Sequence, residues 1–170
     1  MSFKIILASL ALLVMVCIGA DPQYQKPNIA YPVWESVASN HCGGSSFDYF
    51  GTKDKMVSIA DCNNLLAQWD HGHFTYELSQ WVNSTALADH FFVLGTSGSC
   101  QFALKRLDGL DNTILLGDQD MKDLVHSAIA SSHDGFAFET VEGQMKCDSD
   151  AGNGGDVNFE WTLRTPGSTN

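Results

Sequence analysis

The residues whose chemistry depends most on spacing are the cysteines and histidines. Five cysteines are present. Cys17 falls in an apolar leader, which leaves Cys42, Cys62, Cys100 and Cys147. An even set without C-x-x-C spacing favours disulfides over a metal centre, because structural zinc sites draw on closely paired thiolates. The spacing alone leaves the pairing open. A working assignment joins Cys62 to Cys100, helix to sheet, and Cys42 to Cys147, the start of the domain to a late strand. His71-Gly72-His73 offers two imidazoles, with Asp70 and His90 as possible further ligands. A turn between helix and strand, bent at Gly72, accounts for the same residues. The run Asp148-x-Asp150-x-Gly152-Asn153-Gly154-Gly155-Asp156 has the oxygen-rich character that suits calcium. It departs from the calcium-loop template at Gly152 and at Phe159, where a bidentate Glu belongs, so a Gly-rich connection between strands is the simpler reading. No metal site and no cofactor is assigned.

Other groups were weighed for catalysis. Gly95-Thr96-Ser97-Gly98-Ser99 precedes Cys100 as a turn and lacks the strand-to-helix setting of a nucleophile elbow. Asp118 and Asp120 could flank a sugar bond, as glycosidase carboxyls do. Acids at a helix start also face the positive end of the helix dipole, which explains them without chemistry. No catalytic residue is assigned. Trp34, Trp69, Trp81 and Trp161 could stack on a sugar or a partner surface. Trp69 and Trp161 fall on apolar stripes and read as core, whereas Trp81 lies outside any clear stripe and is the one expected to be exposed. Asn83-Ser84-Thr85 is an N-glycosylation sequon, which places Asn83 on a surface loop if it is used.

These residues need a scaffold, and hydrophobic periodicity supplies one. Ile59, Cys62, Leu66 and Trp69 form one helical stripe, predicting a helix over Ser58–Trp69 that points Cys62 at the core. Met121, Leu124, Val125, Ala128 and Ile129 predict a second helix over Asp118–His133, with Gly135 as its stop. Period-two alternation predicts strands around Phe74–Ser79, Cys100–Lys105 and Val157–Leu163, with weaker candidates at Phe47–Phe50, Phe91–Leu94 and Phe136–Cys147. The expected fold is α+β: an antiparallel sheet with one covered face, two helices packed on that face, and two disulfides.

Met1–Ala20 carries one cation and a single apolar stretch ending in small residues, the layout of a secretory signal peptide. The apolar stretch from Ile5 is shorter than the about 20 residues a bilayer span needs, so stable membrane insertion is not expected. Residues 21–41 hold Pro22, Pro27 and Pro32 and read as an extended leader, partly disordered. The folded domain is placed at 42–165 and a frayed tail at 166–170. Nine basic residues stand against 20 acidic ones, a net charge of −11. That balance argues against nucleic acid as a partner, because phosphate backbones are bound by clustered Lys and Arg.

The cysteine neighbourhoods carry a resemblance. Cys42-Gly43-x-Ser45-x-Phe47, Asp61-Cys62-x-x-Leu65, Gly98-Ser99-Cys100-x-Phe102, Gly117-Asp118-Gln119-Asp120 and Gly143-Gln144-Met145-Lys146-Cys147 follow in that order. The arrangement resembles the fungal necrosis-inducing factor domain, a family named for an extracellular effector of a plant-pathogenic fungus. The likeness covers about residues 42–163 and departs from the family pattern at Val141-Glu142-Gly143. It implies a secreted, disulfide-stabilised protein associated with virulence or host cell death; some family members are modules attached to chitinases. No reaction and no catalytic residue carries over from the family. The expected activity is binding of a host or competitor protein or cell-surface component. Alternatives are a killer-toxin-like antimicrobial protein and a secreted enzyme on cell-wall glycans.

Overall fold

The structure, a computed structural model, describes residues 24–51, 55–83, 91–132, 134–150 and 157–168. The expected signal peptide, Ser84 and Thr85 of the sequon, His90, His133 and residues 151–156 lie outside them.

Ten strands and two helices are present among the described residues. In chain order they are β1 (Gln25–Glu35), β2 (Asp48–Phe50), β3 (Val57–Ser58), α1 (Ile59–Trp69), β4 (His73–Asn83), β5 (Phe92–Ser97), β6 (Cys100–Arg106), β7 (Ile114–Gly117), α2 (Asp118–Ala130), β8 (Ala137–Phe138), β9 (Thr140–Cys147) and β10 (Val157–Arg164). The main sheet runs β2-β9-β10-β6-β1-β4-β7, with β5 also paired to β6, and every pairing is antiparallel. β3 and β8 form a separate pair. The main sheet curls until β7 meets the segment after β9: Leu115 N–H donates to the Asp148 carbonyl at 2.9 Å, and Asp150 N–H donates to the Thr113 carbonyl at 3.1 Å.

The helices follow their stripes. Ser58 caps α1, its side chain accepting from the Asp61 N–H, and Cys62, Leu65, Leu66 and Trp69 turn inward. α2 buries Met121, Leu124, Val125 and Ala128, and it ends at Ala130 with Ser131 as its C-cap rather than continuing to His133. Trp69 meets Phe102 edge-on at 5.7 Å, and Phe102 stacks on Trp161 at 6.4 Å. The disulfides join Cys42 to Cys147 and Cys62 to Cys100. The α+β class, the two helices and both disulfides agree with the expectation from sequence.

Two expectations need correction. Residues 25–35, placed in a partly disordered leader, form β1, which pairs with β4 along almost its whole length. Pro27 and Pro32 hid it, because prolines disqualify a central strand but suit one with a free edge. The sheet also has two covered faces around β6. Every residue of that strand is buried. The second face holds Gln101, Lys105, Thr162 and Arg164, with Lys105 ion-paired to Glu160 at 2.6 Å and the Phe91 ring lying over Lys105 and Arg164.

Candidate functional site

The residues that carry the family resemblance assemble into two polar clasps, one beside each disulfide. At the Cys62–Cys100 bridge, Asp61 accepts from the backbone N–H and the hydroxyl of Ser99, both at 2.7 Å. The Ser58 N–H donates to the same Ser99 hydroxyl at 2.8 Å. These bonds fix the β5–β6 turn to the start of α1, and they hold the Asp61 carboxyl below its ordinary value.

The larger clasp lies beside Cys42–Cys147, where residues 39–42 sit across the start of α2. Asp118 accepts from the Ser39 N–H at 2.9 Å, and Asp120 accepts from the N–H groups of His41, Cys42 and Gly117 at 2.8, 3.1 and 2.9 Å. In return the Gln119 N–H donates to the Ser39 carbonyl at 3.1 Å. Gly117 must lack a side chain here, because a Cβ would overlap that carbonyl. His73 and Lys122 reach Asp118 at 3.2 and 3.1 Å, and Lys122 also pairs with Asp70 at 3.0 Å. Burial pushes Asp118 up, but the Ser39 N–H, His73 and Lys122 together hold its carboxyl below the ordinary value. Burial dominates at Asp120 and raises it despite its three N–H donors. Both acids at the helix start are therefore engaged as acceptors, and Asp120 also lines a hollow of about 260 Å³ with Cys42, Phe47 and Leu124.

The clasp contains a serine, a histidine and an aspartate in series. Ser39 Oγ lies 2.9 Å from His41 Nε2, and His41 Nδ1 lies 3.3 Å from Asp148 Oδ2. This is the order of a serine-hydrolase relay, but the surroundings do not support attack by Ser39. Its hydroxyl is 2.6 Å from Thr75 Oγ1, and its own N–H is committed to Asp118. Beside it lies a hollow of about 390 Å³ bounded by His41, Gly44, Lys146 and Asp148, which Ser39 does not line. The series positions a loop. The series was missed in the sequence because His41 and Asp148 stand 107 positions apart; the visible signals nearby were Asp148 itself and the two acids at the start of α2.

The remaining sequence candidates separate. His73 is drawn to Asp118, while His71 is exposed on the turn. Among the described residues no group of three or more His, Cys, Asp or Glu is placed to hold a metal ion. Asp148 faces His41 and Asp150 accepts from the Thr113 N–H, so the described acids of the calcium-like run serve as loop anchors. Asn83 ends β4 and is exposed. No described helix is long and apolar enough to cross a membrane.

Trp69 and Trp161 are core as expected, but the expectation that Trp81 is exposed is overturned. Trp81 is buried, with its Nε1–H donating to the Asn112 carbonyl at 3.0 Å and the Arg106 guanidinium over its ring. Gln80 has φ 55°, and this left-handed step breaks the alternation of β4 so that Leu78 and Trp81, three apart, both turn inward. Trp34 is the exposed one, at 67%. It sits on β1 opposite Phe74, meets that ring edge-on at 5.9 Å, and lies so close to Gly72 that a Cβ there would come within 2.9 Å. Along β1, Ile29 and Tyr31 are also exposed, and Val37 follows just beyond the strand. An aromatic held rigidly but left in solvent has the properties of an interface anchor: large contact area and little freedom left to lose.

A family model described as "Hce2: pathogen effector; putative necrosis-inducing factor" matches residues 41–147, from the large clasp to its disulfide. No curated protein matches the chain. β1 and Trp34 lie outside the matched stretch.

Proposed function

Because the chain belongs to the pathogen-effector family of necrosis-inducing-factor domains, we propose that it acts outside the cell by binding a host or competitor target through the surface around Trp34. The family supports the effector role. The observation that carries the choice of surface is the exposed Trp34 ring, seated on Gly72 and Phe74. The disulfides suit an oxidising compartment, in keeping with a cleaved leader at Met1–Ala20 and an extracellular destination. The net charge of −11 favours a protein or neutral cell-surface target over nucleic acid. It also disfavours direct attack on anionic lipid, so a killer-toxin-like action would need a protein receptor.

The test is a dilution series of purified protein infiltrated into leaves of a plant panel and applied to fungal and bacterial cultures. Wild type should cause cell death or growth arrest in at least one of them. Trp34→Ala should need at least about thirty-fold more protein for the same response, the equivalent of a hot-spot loss of about 2 kcal/mol, and Trp34→Phe should recover part of it. A Trp34→Ala variant as potent as wild type would overturn the choice of surface. A wild-type protein inert on every plant and microbe would contradict the effector reading.

A further inference from the structure

β1 is paired on one side only. Its ladder to β4 runs from Gln25 to Glu35, whereas on its other edge the described residues pair it to β6 at a single position, Gln25 with Arg106. Beyond that point β5 takes the place beside β6. The edge from Asn28 to Glu35 is therefore open among the described residues. Both faces of the strand are wet there, with Tyr31 on one face 62% exposed and Trp34 on the other 67% exposed. An open edge with apolar side chains invites another strand. Pro27 and Pro32 are of opposite parity on the strand, so one of the two removes a donor on this side, which limits uncontrolled pairing without closing the edge.

We propose that this edge is a strand-addition site for an extended, basic segment of a partner protein. The inference rests on the reading of the Trp34 surface given above and specifies its partner. Main-chain bonds along Asn28–Glu35 supply the register, and the exposed aromatics supply pockets for alternate side chains. Charge selects the occupant. Glu35 and Glu77 are exposed on and opposite β1, Glu77 being the cross-strand partner of Tyr31. The chain as a whole carries −11, which disfavours a second copy and favours Lys- or Arg-bearing strands.

The probes are three synthetic peptides of about nine residues: alternating Lys and Val, the same with Glu for Lys, and the Lys peptide N-methylated at alternate backbone nitrogens. Binding is followed by fluorescence, and amide hydrogen exchange is measured across residues 28–35 of the intact, oxidised protein. The Lys peptide should bind and slow exchange in that segment, and the Glu and N-methylated peptides should each bind at least about ten-fold more weakly. Equal binding of the N-methylated peptide, or binding with no change in β1 exchange, would overturn strand addition. Slow exchange, in the free monomer, of the amides within residues 28–35 that point away from β4 would show that the chain's own residues cover the edge, and a β1-dependent dimer would make a second copy the occupant; either result overturns the proposal. Failure of the peptides while Trp34→Ala still loses activity would remove strand addition and leave the Trp34 surface standing. Activity retained in Trp34→Ala would remove the surface itself.

Discussion

Trp34 and Trp81 carry the same side chain and predict opposite behaviour on truncation. Trp81 closes the end of the core, stacked under Arg106 and bonded to the Asn112 carbonyl. Trp81→Ala removes buried apolar area and one of the two donors to that carbonyl, which keeps its bond from Arg106 at 2.8 Å, so it should cost about 3–5 kcal/mol. Trp34→Ala removes a ring that is mostly in water, so its cost should be about 1 kcal/mol or less, drawn from the Phe74 contact. Urea denaturation of the two variants checks the contrast, and equal losses would place Trp34 in the core. The sequence pattern misplaced Trp81 for a local reason. A strict period of two along β4 puts Trp81 out of step with Phe74 and Leu78, and only the left-handed backbone at Gln80 brings it back inside. Nothing in the identity of a glutamine announces that step.

At the scale of elements, the helices and long strands were legible because each carries its own apolar period. β1 was not, since its prolines and half-exposed side chains blur any alternation. β7 was missed because its four residues are too few to show one. The clasps were invisible for another reason: their bonds join residues far apart in sequence, and only the motif glycines and acids hinted at them. Those bonds make an acid-sensitive prediction. Asp61 and Asp118 in the clasps are held below their ordinary value in the folded protein, as is Asp134, which accepts from the Phe136 and Ala137 N–H groups in the turn after α2. A carboxyl lowered by folding stabilises fully above its unfolded pKa and loses that contribution as pH falls through the folded value. Asp120, raised by burial, acts in the opposite sense: its contribution is lost as pH rises through its folded value. The stabilisation from the lowered carboxyls should hold from neutral pH to about 4 and then decline. Asp118→Asn should flatten that decline, because it removes a titrating clasp. Thermal melts between pH 2 and about 7 test this, and an unchanged acid slope in Asp118→Asn would remove the clasp from the explanation.

For the whole molecule, the disulfides decide how firmly the curled sheet stays closed. Cys42–Cys147 spans 105 positions and Cys62–Cys100 spans 38. In the chain-entropy account the longer loop stabilises more, by about 1 kcal/mol. Replacing Cys42 and Cys147 by Ala should therefore lower the unfolding free energy further than replacing Cys62 and Cys100, and the reverse order in denaturant titrations would show that the helix-to-sheet contact matters more than loop closure. Both bridges lie within or at the limits of the stretch that matches the effector family. The matched residues, completed by β10, thus build the scaffold, and β1 adds an aromatic surface to it. This division explains why family resemblance reached the fold and the effector class while the binding surface emerged only from the geometry.

Competition for the surface of responding cells tests this division most directly. Labelled wild-type protein is bound to intact cells and displaced by unlabelled wild type, Trp34→Ala or a surface control, Leu110→Ala, drawn from an exposed residue between β6 and β7. Saturable binding should be displaced equally by wild type and the control, and at least about thirty-fold less effectively by Trp34→Ala. Displacement by Trp34→Ala as effective as by wild type would contradict the account, because the target would then be held by some other part of the molecule.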